Sequence, residues 1–129
     1  MIETNLKVVA EHIENEARDP QSVLDLYTHD IVMEMPTRGL VFTDKDAIAE
    51  NYRATFSSMS DVELHPIERF ATEDRVVDDM MVRFKLTGNG LKNSGIPIGS
   101  HVELRLVHIF HMRDGLIARE IVHETYKVL

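Results

Sequence analysis

The stretch His101-Val102-Glu103-Leu104-Arg105-Leu106-Val107-His108-Ile109-Phe110-His111-Met112, followed by Arg113-Asp114-Gly115 and then Leu116 to Tyr126, decides the fold. Two long alternating runs around a short turn containing Asp-Gly spell a β-hairpin. Alternate residues place Val102, Leu104, Leu106, His108, Phe110 and Met112 on one face. His101, Glu103, Arg105 and His111 take the other, which Val107 and Ile109 interrupt. His108 therefore sits inside the apolar stripe, where a ring that titrates near neutrality is aimed at dry neighbours. It is either a core histidine bonded to a neighbour or a working group in a pocket.

Upstream of the hairpin, Leu6, Val9, Ala10, Ile13 and Ala17 recur at helical spacing and predict an amphipathic helix from about Glu3 to Arg18. Asp19-Pro20 restarts the chain as N-cap and first helical residue, so a short second helix is expected over Pro20 to Thr28. Ile31 to Met35 reads as a strand ended by Pro36. Thr43-Asp44-Lys45-Asp46 resembles a capping box, behind which Ile48, Tyr52 and Phe56 share one face of a third helix. Val62 to Phe70, Arg75 to Thr87, Ile98 to Met112 and Leu116 to Tyr126 read as successive strands. Gly88 to Gly95 is a glycine-rich hairpin tip without the strand-to-helix context of a phosphate cradle. The pattern is α+β: one domain over residues 1–129, with helices on one face of a curved, mainly antiparallel sheet.

The chain has 129 residues, enough for one domain to bury a core without staples. With no cysteine, it offers neither a disulfide framework nor a thiolate nucleophile. Its 22 acidic and 14 basic residues leave a net charge of −8, which disfavours nucleic acid and anionic membrane surfaces. The polar start, Met1 to Asn5, resembles neither a signal peptide nor a membrane span, and a soluble cytoplasmic protein is expected.

Three segments carry a resemblance over nearly the whole chain: Val23 to Pro36, Asp46-Ala47-Ile48, and Phe110 to Ile117. Together they resemble the nuclear transport factor 2-like superfamily, which includes ketosteroid isomerase and the SnoaL-like polyketide cyclases. That resemblance implies a cone whose helices and sheet enclose an apolar pocket, paired as a homodimer through the outer sheet face. It also allows functional residues to be matched one at a time. The isomerase's general base, an aspartate just before the proline ending the first strand, is matched here by Met35, which cannot take a proton. Its first-helix tyrosine is matched by Glu11 without gaps, or by Val9 on helical phase. Its oxyanion-stabilising acid is matched by His108, and its supporting third-helix tyrosine by Tyr52. The pocket is implied, but the isomerase chemistry is not.

Which residue faces His108 depends on the turn. A three-residue loop Arg113-Asp114-Gly115 pairs Met112 with Leu116, His108 with Glu120, Leu106 with Val122 and Leu104 with Glu124. A two-residue Asp114-Gly115 turn instead sets His108 opposite Ile121 and turns Arg119 and His123 inward. The parity of the related isomerase's last strand favours the first. On that register His108 is a general acid or base with Glu120 fixing its tautomer, and Tyr52 donates to a ligand oxygen. The competing reading is a buried ion pair that only sets strand register.

Tyr27, Met35, Val82, Phe84, Phe110, Val122 and Glu124 complete the expected ligand-binding wall. Seven histidines invite a metal reading, but His108 and His111 point to opposite faces of their strand. His12, His29, His65 and His101 lack a partner at ligand spacing and read mainly as solvated. No metal and no cofactor is expected. Adjacent Asp78 and Asp79 point apart and form no catalytic pair. Two functions remain open. One is a cofactor-independent SnoaL-like enzyme doing acid-base chemistry (isomerisation, cyclisation, dehydration or hydration) on a small, mainly apolar, oxygen-bearing metabolite. The other is a non-catalytic binding or dimerisation domain.

Overall fold

The computed structural model describes residues 1–129. Its elements run α1 (Ile2–Asn15), a 3-10 helix (Pro20–Leu26), β1 (Tyr27–Met35), a 3-10 turn (Pro36–Arg38), β2 (Leu40–Phe42) and α2 (Lys45–Ser57). Four long strands follow: β3 (Met59–Ala71), β4 (Arg75–Leu86), β5 (His101–Arg113) and β6 (Leu116–Val128). The strands form one curved, unclosed sheet in the order β2-β1-β6-β5-β4-β3. Only β1 and β6 pair in parallel. The helices pack on one face, as the α+β pattern required.

Local chemistry explains most boundaries. Asp44, rather than Thr43, caps α2, its carboxylate accepting the Asp46 backbone N–H at 3.1 Å. The expected second helix is a 3-10 helix and ends two residues early, because Tyr27 is already extended and pairs with Ile117. Tyr27 thus opens β1 rather than closing a helix. Gly39, with φ +67°, turns the chain back so that Leu40 pairs with Met35, forming a strand too short to show in alternation.

The hairpin combines features of both expected registers. Asp114 and Gly115 both have positive φ and make a two-residue turn, with Arg113 opposite Leu116. Ala118 is then an extra residue between the pairs Met112–Ile117 and His111–Arg119, a β-bulge. The bulge restores the parity that keeps Glu120, Val122 and Glu124 on the inner face. Each pairing is nevertheless offset from the favoured one: His108 faces Val122, Phe110 faces Glu120, Leu106 faces Glu124, and Leu104 faces Tyr126.

Two apolar clusters hold the fold. One joins α1, α2 and β1 to the hairpin end of β5 and β6 through Val9, Tyr27, Ile31, Ile48, Phe110 and Ile117. The other joins β4 and β5 beneath the 87–100 connection through Phe84, Leu86, Leu91, Val102 and Leu104. Gly90 of that connection lies so close to α2 that a Cβ would stand 1.8 Å from the Ala54 carbonyl oxygen, and its N–H donates to Ser58 Oγ at 2.8 Å.

Candidate active site

Between the helices and the concave face of the sheet lies a cavity of about 300 Å³, ample for a small molecule. Its lining is mostly aliphatic and thioether, with Met33, Met35, Met80, Val82, Leu106 and Val122 from the sheet. Against that wall stand Glu16, Tyr52, His108 and Glu120, all buried and all lining the cavity.

Glu120 anchors a hydrogen-bonded cluster contributed by four elements. The Tyr52 hydroxyl donates to its carboxylate at 3.1 and 3.2 Å, and the Tyr27 hydroxyl lies 3.2 Å from Oε1. Burial, then the charge of Glu120, pushes both phenols well above their ordinary range, so they remain protonated donors. His12, with no exposed surface, places Nε2 2.6 Å from the Tyr27 hydroxyl and 3.4 Å from Glu120 Oε1. Its Nδ1 faces Glu16 Oε2 at 3.3 Å, one helical turn along α1. Burial drives the His12 pKa down, opposed by Glu120 and reinforced by His108, and the ring stays neutral at neutral pH. Burial raises the Glu16 carboxyl to about 8, against the pull of His108, so it carries its proton at neutral pH.

His108 has a different partner. Asp78, directly opposite on β4, sets Oδ2 3.6 Å from Nδ1, longer than a hydrogen bond but close for opposite charges. Arg69 of β3 holds the other oxygen of Asp78 at 2.7 Å. Burial is the largest single influence on His108 and lowers its pKa. Asp78, Glu16 and Glu120 together outweigh it and leave the ring more basic than usual. With Nδ1 turned to Asp78, Nε2 is the ring's remaining polar edge. The site thus combines a cation-forming imidazole, a neutral carboxylic acid and a carboxylate fed by two phenols, a set able both to deliver and to remove a proton.

A second buried ion pair closes the wall: Arg38 Nε donates to Glu124 Oε1 at 3.0 Å, and Arg38 Nη2 points at the Met35 sulfur at 3.2 Å. Arg38 also donates to the Lys92 carbonyl, while Asn93 donates to the Arg38 carbonyl, tying the 87–100 connection to the cavity.

The SnoaL-like domain model matches residues 9–120, from the middle of α1 to β6, and takes in the site side chains just described except Val122 and Glu124. The chain belongs to the SnoaL-like domain family. No curated protein matches it in sequence. Among solved structures, a protein from Jannaschia sp. described as a SnoaL-like polyketide cyclase superimposes with a TM-score of 0.82 at 16% identity, over 96% of this chain and 87% of that one. An epoxide hydrolase of Mycobacterium tuberculosis gives 0.71 at 12% identity, over 96% and 84%. A protein with a ketosteroid isomerase-like fold from Catenulispora acidiphila, in complex with trimethylamine, gives 0.70 at 13% identity, over 89% and 82%. At such identities these likenesses concern the fold.

Within this SnoaL-like domain, the expected site residues fall into three groups. His108, Glu120, Tyr52, Met35, Val82, Val122 and Glu124 line the cavity. Tyr27 stands behind the wall and contributes its hydroxyl to the Glu120 cluster. Phe84 and Phe110 do not line it. Phe84 is consumed by the cluster around Leu86 and Leu91, and Phe110 stacks on His108 with ring centres 5.7 Å apart. The expected His108–Glu120 dyad is replaced by His108–Asp78, because the bulge at Ala118 slides β6 relative to β5.

The alternation of β4 continues inward from Met80 to Asp78, a signal the adjacent pair Asp78-Asp79 obscured. His12 is not solvated: the most buried face of α1 runs Asn5, Val9, His12, turned from the stripe of Leu6, Ile13 and Ala17. His12, Glu16 and Glu120 bring ligand-type atoms within 4.8 Å of one another, with His12 Nδ1 3.3 Å from Glu16 Oε2 and Nε2 2.6 Å from the Tyr27 hydroxyl. No helix is long and apolar enough to cross a membrane.

Proposed function

We propose that this SnoaL-like domain is a cofactor-independent enzyme performing acid-base chemistry on a small, mainly apolar molecule bearing oxygen. Isomerisation, cyclisation and dehydration or hydration are the reactions such chemistry serves. The observation that carries this reading is the convergence of His108, Glu16 and Glu120 on one cavity whose remaining wall is aliphatic and thioether. His108, made basic by Asp78, polarises or protonates the substrate oxygen, and Glu120, oriented by Tyr52 and Tyr27, takes a proton from carbon. The methionine and aliphatic lining supplies binding energy and excludes water. The fold shared with structures described as a SnoaL-like polyketide cyclase and an epoxide hydrolase supports this reading.

The test is exchange of the α-proton of small cyclic ketones in D2O, followed by proton NMR. The expected result is exchange catalysed by the wild type and lost by at least about 100-fold in both His108→Asn and Glu120→Gln. Exchange unaffected by either variant would refute the assignment.

The same reading takes the protein as a homodimer through the outer sheet face. There half-buried Val107 and Ile109 neighbour the ion pairs Arg83–Glu103 and Arg105–Asp79. Sedimentation at micromolar concentration separates dimer from monomer.

A further inference from the structure

We propose that Glu16, His12, Tyr27 and Glu120 form a proton circuit whose two ends open on the cavity, so that the proton removed from a substrate by Glu120 is returned to Glu16 through the buried His12 ring. This rests on the acid-base reading above and extends it: Glu16 becomes the proton donor to carbon, and His12 a positioning residue that never touches substrate. The reaction it serves is a proton transposition, in which one proton is taken and another given with no net change in the number of protons the enzyme holds.

The geometry lays out the path one contact at a time. Glu16 and Glu120 both line the cavity. Behind them His12 is fully buried and bridges the pair, Nδ1 at 3.3 Å from Glu16 Oε2 and Nε2 at 2.6 Å from the Tyr27 hydroxyl. Tyr27 completes the path, 3.2 Å from Glu120 Oε1. Both Nδ1 and Oε2 are sealed from solvent, and neither has a well-formed hydrogen bond, so a proton between them is the missing element of an otherwise continuous chain. A purely structural histidine in a helix facing the core would have no need of two carboxyls at opposite edges of its ring.

The protons balance. Before turnover Glu16 carries a proton on its cavity-facing oxygen, and His12 carries one on Nδ1 directed at Oε2. Glu16 gives its proton to the substrate as Glu120 accepts one from it. Three short transfers then reset the site: Glu120 to the Tyr27 oxygen, the Tyr27 proton to His12 Nε2, and the Nδ1 proton to Glu16 Oε2. The net result is a protonated Glu16, an ionised Glu120 and a His12 ring in its other neutral tautomer, so each passage serves one turnover and the ring regains its Nδ1 proton, losing that on Nε2, by exchange before the next. The charged and titratable groups facing this path are Asp78 of β4, His108 of β5, Glu120 of β6, Tyr27 of β1 and Tyr52 of α2. Among them His108 opposes a second cation at His12, which favours tautomer exchange over imidazolium formation.

The experiment is ¹⁵N NMR of the histidine-labelled full chain, with the Glu16 side-chain carboxyl followed by ¹³C, titrated without any substrate. Both His12 tautomers are expected while Glu16 is protonated. Ionisation of Glu16 should shift their ratio at least about tenfold toward the Nδ1–H form, with the same midpoint for both nuclei. Glu16→Gln should abolish the shift. A single tautomer throughout the Glu16 titration, or an imidazolium at His12, overturns the circuit. Because no substrate is involved, this outcome is separate from that of the ketone exchange test, which decides the role of His108 and Glu120.

Discussion

The His108 imidazole stands 3.6 Å from Asp78 across the β4–β5 ladder, and Arg69 holds the other oxygen of the same carboxylate at 2.7 Å. Burial and charge therefore pull the ring in opposite directions, and the carboxylates prevail. A folded pKa above the unfolded one makes His108 a stabilising group at low pH. That contribution is complete below the unfolded value of about 6.5 and is lost as pH rises through the folded value.

Asp78→Asn removes the main partner of the ring and leaves burial in place. The His108 midpoint should fall from above its ordinary value to below it, as read by proton NMR of the ring. The sign of the linkage then reverses. A buried ring that prefers to stay neutral loses stability on acidification through about pH 6.5, so Tm of the variant should drop relative to wild type most steeply there. A His108 midpoint unchanged by the substitution would assign the raised value to Glu16 and Glu120 instead.

Glu16 has a linkage of the same sign as wild-type His108. Its carboxyl is raised to about 8 by burial, so between the unfolded value near 4.5 and about 8 the unfolded chain is ionised there while the folded chain is not. Stability contributed at this site falls as pH rises through that window and is level above it. Glu16→Gln keeps the shape without the charge. It should raise Tm by roughly 3–6 °C at pH 9 and change it little at pH 4. Equal shifts at both values would indicate a packing effect rather than a titration.

How far the site was legible follows from the residues that make it. His108 was visible because one polar letter interrupts a long period-two stripe, and Glu120 because parity along β6 could be carried over from a related fold. Asp78 lay on the inward phase of β4 and was hidden only by the adjacent Asp79. His12 was hidden by the helix itself: the face of α1 turned to the core carries Asn5 and His12 around a single apolar residue, Val9, while Leu6 and Ile13 mark a neighbouring stripe. Arg38 had no signal, since a 3-10 turn of three residues has no periodicity and its ion pair with Glu124 spans 86 positions. Tertiary polar networks assembled from four or five elements leave no local pattern, because each member looks like an exception in its own segment.

The Arg38–Glu124 pair has side chains 1% and 2% exposed, and its energetics follow from that burial. Removing one partner strands the other charge without water. Glu124→Gln or Arg38→Met should therefore each cost about 3–5 kcal/mol in urea unfolding. The double substitution Arg38→Met with Glu124→Leu should recover most of that loss, since both charges then leave the interior together. It should also loosen residues 92 and 93, whose backbone and side chain bond to Arg38, as faster amide exchange there.

Ala118 is the residue on which the inner face of β6 turns. It has no partner on β5, lying between the pairs Met112–Ile117 and His111–Arg119, and both Ile117 and Glu120 are fully buried. Deleting Ala118 joins those two pairs into a regular ladder without changing which side chains face inward. The shortened chain should fold with Glu120 still in the cavity, at a loss of about 1–2 kcal/mol for the lost bend. Deleting Ile121 instead swaps every residue beyond it between faces, sending Val122 and Glu124 outward and His123 inward, and that chain should not fold cooperatively. Circular dichroism melts of the two deletions decide the matter. If both unfold alike, the bulge bends the sheet in a way the core depends on; if only the second does, Ala118 is the spacer that reconciles a two-residue Asp114-Gly115 turn with a strand whose acid must face inward.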